Sequence, residues 1–368
     1  MGIFQSRPAL RWLAPLSLAL LVGGTGVAVT SASADTALPA KSAEQLLVDL
    51  QGAEVDGLSG TVVQQANLGL PALPSTGGAT SEELMSLLSG NHQLRVWYAG
   101  PDKSRIALMD RFGETDVMVN GRDVWTYASD DQAATHRVLP EPPADADRSP
   151  AEPPSTDMPK TPQEAAALVL DRIGTTTEVT TDRTVEVAGR PAYELVLTPR
   201  DLRSKIGQVR IAVDGATSIP LRVAALGRDG ADIATVGYTR ITLATPDAET
   251  FVFTPPPGTK VTEAPAPELP AAPSKADRAA AQEKAEQAKA DTEVVGEGWT
   301  SVVVTKVPQD ADTGQLDTVL NSLKPARSGS WGGGREFEGT AFSAVLTDDG
   351  RLAIGAVAPD LLYAALEK

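Results

Sequence analysis

Hydrophobic positions in this chain alternate with polar ones far more often than they recur at helical spacing. Between residues 60 and 139, six short segments bounded by turn residues read as strands: 60–67, 92–99, 104–111, 115–120, 123–128 and 135–139. Five more follow at 175–187, 192–198, 208–213, 220–226 and 232–243. Their separators, Ala188-Gly189-Arg190-Pro191, Asp214-Gly215 and Arg228-Asp229-Gly230, are turn chemistry. Sequential hairpins imply an antiparallel meander. The Asn120-Gly121 turn leaves its register open. A two-residue loop puts Val117 and Val124 on one face, whereas a four-residue loop pairs Val119 with Val124 and Met118 with Trp125.

Helical spacing is confined to a few places. Ser42 with Gln45 makes a capping-box pattern ahead of Leu46, Leu47 and Leu50, and Thr80 with Glu83 does the same ahead of Leu84, Leu87 and Leu88. Thr161-Pro162 opens a third helix with Leu168, Val169 and Ile173 on its buried side. Ten or so strands with three helices do not fit a doubly wound parallel sheet. The pattern predicts an α+β protein built on one large curved antiparallel sheet that helices partly cover.

Pro-rich stretches interrupt this pattern at 139–162, read as an exposed arm, and at 255–273, which leads into an Ala-, Glu- and Lys-rich spacer helix at 274–291. A second pattern then begins: strand 299–307, helix 313–323 with Leu316, Val319, Leu320 and Leu323 as an amphipathic stripe, a hairpin of 340–346 and 352–357, and a closing helix 359–366. This is a small β-α-β-β-α unit. At the other end, Arg7 and Arg11 precede an apolar run at 13–29 and then Ser31-Ala32-Ser33-Ala34, the layout of a signal peptide cleaved after Ala34. An uncleaved anchor is the alternative, and either places the protein outside the cytoplasmic membrane. The expected organisation is an export signal at 1–34, a large domain at 35–262, a linker at 263–291 and a small domain at 292–368.

Composition removes most chemistry. With no cysteine and two histidines, the chain cannot form disulfides, thiolate metal sites or multi-histidine metal centres, nor be lipidated at a signal-peptide cysteine. A formal charge of -16 opposes nucleic acid and anionic lipid surfaces as electrostatic partners. No Gly-x-Ser-x-Gly is present, and His92 and His136 read as surface imidazoles. Asp310-Ala311-Asp312-Thr313-Gly314 resembles the start of a calcium loop, but Asn321 stands where its terminal glutamate belongs, so Asp312 with Gln315 reads as a helix cap. The glycine-rich run 329–335 reads as a mobile loop in which Trp331, if exposed, would anchor a partner. Trp97 and Trp125 read as sheet packing or as the rim of a cavity. No catalytic residue, metal or cofactor is assigned.

Four ordered segments bear a resemblance. Gly57-Leu58-Ser59-Gly60-Thr61-Val62-Val63 comes first, and Val187-Ala188-Gly189-Arg190-Pro191-Ala192-Tyr193-Glu194-Leu195 second. Val213-Asp214-Gly215-Ala216-Thr217-Ser218-Ile219-Pro220-Leu221-Arg222 and Phe251-Val252-Phe253-Thr254-Pro255-Pro256-Pro257-Gly258 follow. Their set is similar to the lipoprotein-carrier (LolA-like) superfamily, which includes the outer-membrane carrier LolA and the amino-terminal domain of the sigma-factor regulator RseB, also called MucB. High Ala and Val content resembles the actinobacterial branch, as does the carboxy-terminal extension. The missing lipid attachment site and the extra domain depart from the carriers.

The resemblance implies a half-open β-barrel, closed on one side by helices, that holds lipid or lipoprotein acyl chains in an apolar cavity without catalysis. It equally implies the alternative of an RseB-like regulator of envelope stress, whose small domain docks on a membrane-bound anti-sigma factor. Residues that alternation would turn toward such a cavity are Val62, Leu94, Val96, Ile106, Leu108, Val117, Leu195, Leu197, Val209 and Ile211. Alternation reads the same whether that face meets helices or a ligand.

Overall fold

A computed structural model describes residues 38–69, 90–109, 113–140, 174–265, 291–307 and 323–368. The expected export signal, the helices starting at Thr80 and Thr161, the Pro-rich arm beyond 140, the spacer helix and the helix at 313–323, with its calcium-like run, lie outside the described residues.

The first described helix, α1 (Ala43–Gln51), begins where its cap predicts: the Ser42 hydroxyl accepts from the Gln45 N–H at 3.2 Å. Eleven strands follow at the positions read from alternation. They are β1 (Leu58–Ala66), β2 (Gly90–Tyr98), β3 (Lys103–Met109), β4 (Glu114–Asn120), β5 (Asp123–Ala128), β6 (Ala133–Val138), β7 (Thr177–Val187), β8 (Arg190–Pro199), β9 (Ile206–Asp214), β10 (Pro220–Gly227) and β11 (Asp232–Thr242). A twelfth, β12 (Lys260–Glu263), has no buried residue and so no alternation to betray it. One sheet holds all twelve in the order β12-β6-β5-β4-β3-β2-β1-β11-β10-β9-β8-β7. Every pairing is antiparallel except that of β12, which runs parallel to β6. Strand β1 joins two meanders, β2–β6 on one side and β7–β11 on the other.

The sheet is open, since β12 and β7 have a neighbour on one side each. It is not flat. Cα atoms of β7 and β11 approach within 8 Å although three strands lie between them, whereas a flat sheet would hold them about 19 Å apart. Bulges at Thr61/Val62, Ala225/Leu226 and Asp182/Val185 add the local bend and twist this requires. The β4–β5 hairpin pairs Val119 with Val124 and Met118 with Trp125, yet through a turn of two residues, because Asn120 pairs with Asp123.

The quoted motif segments prove to be joints. Ala188 and Gly189 take positive φ (53° and 75°), the tight turn that lets Arg190 pair with Val187. Arg190 then reaches Asp214, one strand further, through two hydrogen bonds of 2.6 and 2.8 Å. Gly60 is a close approach: a Cβ there would lie 2.8 Å from the Tyr238 ring, which crosses β1 at that point.

A second sheet has the order β13-β14-β18-β17-β16-β15, from β13 (Thr292–Val295), β14 (Val302–Lys306), β15 (Lys324–Pro325), β16 (Gly334–Glu338), β17 (Ser343–Thr347) and β18 (Arg351–Gly355). Three of these, β13, β15 and β16, were not legible in the alternation. Closing helix α2 (Pro359–Leu366) packs Leu362 and Leu366 onto Val302, Val345 and Val357. Trp331 belongs to this core, buried and stacked on Tyr363 at 5.8 Å, so it is not an exposed anchor. Backbone and side chains fasten this sheet to the large one: the Lys205 N–H donates to the Ala356 carbonyl at 2.7 Å, and Trp299 Nε1 donates to Thr177 Oγ1 at 2.7 Å.

Candidate functional site

Cross-strand partners share a face of a sheet, so register sorts every side chain. Starting from β1, Val62 pairs with Leu94, Leu94 with Leu108, and Leu108 with Thr115. One step along, Gly60 pairs with Val96, Val96 with Ile106, and Ile106 with Val117. In the other direction Gln64, on the same face as Val62, pairs with Val236, then Val223, Ile211 and Leu195. Leu197 pairs with Val209 in the adjacent row. All ten residues read from the sequence therefore project from one face, although their strands span most of the sheet.

Over β7–β9 helix α1 covers part of that apolar face, where Val179, Leu197, Val209 and Ile211 stay half-buried. Leu195 is fully buried with Leu46 of α1 and Tyr193, and Val179, Leu197 and Ile211 pack around them. Leu195, Leu197 and Ile211 thus belong to the packing beneath the helix. Over β1–β4 the same face is half-buried at Val62, Leu94, Val96, Ile106 and Leu108, and Val117 is 39% exposed. Val119 and Val124, a cross-strand pair, extend this area beyond the ten residues read from the sequence. Tyr238 also joins it through its pairing with Val62; Thr239 bulges beside it and breaks the alternation that would have flagged it. Burial pushes the Tyr238 phenol up to about 12, so it stays protonated.

The opposite face is charged. Arg105 binds Asp116 at 3.0 and 2.9 Å and lies 5.0 Å over the Trp97 ring. Beyond it is a groove of about 700 Å³ walled by Arg105, Glu114, Asp116, Tyr127 and Phe253. Burial, and then the neighbouring Asp116 carboxylate, push Glu114 up. Further along, Arg210 bridges Asp182 and Glu194 at 3.0 and 2.5 Å, and Arg222 meets Glu194 at 3.2 Å. Trp97 and Trp125 both sit on this charged face, away from the apolar one. Among the described residues no three His, Asp or Glu side chains converge as a metal site.

No protein-family model and no curated protein matches the sequence. Solved structures do. The chain is similar to a chain of the MucA/MucB complex of Pseudomonas aeruginosa, with 16% identity over 88% of this chain and 96% of that one and a TM-score of 0.41. It is also similar to a conserved protein of Thermus thermophilus (11% identity, 60% and 99% covered, TM-score 0.32). A LolA superfamily protein of Nitrosomonas europaea gives 11% identity, 58% and 99% covered, and a TM-score of 0.21. At these identities the likeness is one of fold alone.

His136 is less free than a surface imidazole. Its ring stacks on Trp125 at 4.2 Å, and its two nitrogens meet Asp123 at 3.0 Å and Glu263 of β12 at 2.8 Å. The Asp123 hydrogen bond, opposed by partial burial and aided by Glu263, raises its pKa above the ordinary value. A raised folded value means the contribution to stability is complete below about pH 6.5 and lost as pH rises through the folded value. Amides of Lys260–Glu263 should therefore lose exchange protection on the alkaline side of that range, after correction for intrinsic rates. His136→Gln should abolish the pH dependence, and protection that stays constant in the wild type would show that His136 does not hold β12.

Proposed function

We propose that this protein is an exported, non-catalytic binding protein that holds a lipid or lipoprotein acyl chain against the β1–β4 part of the apolar face. The observation that carries the reading is one uncharged cross-strand block. Its aliphatic side chains from β1 to β4 stay half-buried with Val117 at 39% exposure, whereas Leu195 on the same face is fully buried against α1. A soluble protein loses roughly 25 cal/mol of stabilisation for each Å² of such surface left in water, and a contiguous patch of it marks a binding surface. An acyl chain fits because it asks for no hydrogen bonds, and apart from the hydroxyls of Thr115 and Tyr238 this block is aliphatic. The sequence resemblance points the same way.

Native mass spectrometry of the full chain purified from its own host tests this. Bound acyl species, released by organic solvent, are expected. Protein that carries none, and that fails to take up a long-chain fatty acid added in vitro, would overturn the proposal.

A second reading, the RseB-like regulator, draws support from the junction between the sheets. Lys205, between β8 and β9 of the large sheet, donates its N–H to Ala356 and its Nζ to Glu338 and Gly339 of the small one. Strain on the large sheet during ligand uptake would reach the small one directly. Lipid-dependent binding of an anti-sigma factor's extracytoplasmic segment would favour this reading; lipid carriage with no such binding favours the first.

A further inference from the structure

We propose that the charged face of the sheet binds a phosphate group between Arg95 and Arg240. Thr61 of β1 pairs with Arg95 of β2 on one side and with Arg240 of β11 on the other. In the next row Ser59 pairs with Trp97 and with Thr242. By register all six side chains leave the sheet on the face opposite Val62, and all six line one recess of about 190 Å³.

Charge sets these two arginines apart. Along the same face Arg105 is neutralised by Asp116, Arg210 by Asp182 and Glu194, and Arg222 by Glu194. Neither Arg95 nor Arg240 has a carboxylate within 4.0 Å among the described residues. Glu114 feels the charge of Arg95 only at longer range, and Asp116, in the row of Arg95, is already held by Arg105. Two guanidinium groups without a carboxylate thus flank one hydroxyl on this face. An anion over Thr61 would face both positive charges at once.

Spacing and shape make the anion a phosphate. Paired Cα atoms across an antiparallel ladder are about 5 Å apart, so Arg95 and Arg240 stand roughly 10 Å apart and both stems reach an oxyanion over Thr61. Guanidinium forks match phosphate oxygens two at a time. Thr61 is 7% exposed and forms the floor, with the Ser59 and Thr242 hydroxyls beside it. Trp97, held under Arg105, forms a fixed wall. At about 30 Å³ per water molecule, the recess has room for a phosphate and the first atoms of an ester, which admits both free phosphate and a lipid headgroup. The site lies across the sheet from the proposed acyl surface and stands or falls separately.

The test uses the full chain at constant ionic strength. Calorimetric titration with inorganic phosphate is run beside co-sedimentation with phosphatidylcholine vesicles containing or lacking phosphatidic acid. Saturable phosphate binding without vesicle binding identifies a soluble ligand, and binding confined to phosphatidic acid vesicles identifies a headgroup; both support the site. In each case Arg95→Gln with Arg240→Gln should weaken binding by about tenfold or more, and each single variant should give part of that loss. Both arginines are exposed, so the thermal midpoint should stay that of the wild type. No binding of either probe, or binding undiminished in the folded double variant, overturns the proposal.

Discussion

Val117→Asp is expected to abolish acyl binding while leaving the protein folded. Val117 sits in the row Gly60, Val96, Ile106, Val117, with aliphatic neighbours on the same face. At 39% exposure a carboxylate there remains hydrated in the unliganded protein, so the cost to stability should stay below about 1 kcal/mol. In the complex the same carboxylate must shed water against hydrocarbon, an effective penalty of several kcal/mol. Since about 1.4 kcal/mol is tenfold in affinity, half-saturation of a fluorescent long-chain fatty acid should need at least about a hundredfold more protein. An unchanged dissociation constant with an unchanged melting curve would remove this face from the function. Val117→Thr, similar in shape and uncharged, should bind nearly as the wild type does.

Asp214→Asn should produce the largest loss of stability. Asp214 is 1% exposed, and its carboxylate accepts two bonds from Arg190, the backbone N–H groups of Ala216 (3.2 Å) and Thr217 (2.8 Å), and the Thr217 hydroxyl (2.8 Å). One side chain thus ties two hairpins together. The asparagine amide cannot accept from all of these and leaves Arg190 without its counter-charge. Breaking a wholly buried pair costs about 3–5 kcal/mol. The Arg190 side chain is 28% exposed and partly hydrated, so about 2–3 kcal/mol is the better expectation, a fall in melting temperature of roughly 4–12 °C.

The pH dependence separates charge from hydrogen bonding at this joint. Burial by itself would raise the Asp214 pKa, but the bonds from Arg190 and Thr217 hold it below the ordinary value of 3.8. A depressed folded value contributes stability that is complete above the unfolded pKa and lost as pH falls through the folded one. The gap between wild type and variant should therefore be full at pH 7 and narrow in acid below about pH 4. Equal gaps in denaturant melts at both pH values would mean that the ion pair adds nothing beyond the neutral bonds.

Much of this molecule could be read locally. Side chains alternate with a period of two in any strand, so the facing set from Val62 to Ile211 follows from sequence once strands and turns are placed. Capping did the same for α1 through Ser42 and Gln45. Strand β12 escaped because an exposed four-residue edge after three prolines has no amphipathic signal. Trp331 reads as an anchor only if exposed, and the glycines beside it give no sign of the burial that packing with α2 provides.

Chain order also conceals where faces are covered. Leu195 and Val117 are alternating aliphatic residues of the same kind on the same face; one is sealed and the other open because α1, over 140 residues before Leu195 in the chain, lies over β8 and not over β4. Likewise Arg240 stands beside Thr61 only because β11 pairs with β1, with one bulged residue setting the register. Direction within a strand is a property of the local backbone and is written in the sequence. What lies above a side chain is decided by contacts between remote segments, and these exist only once the chain has folded.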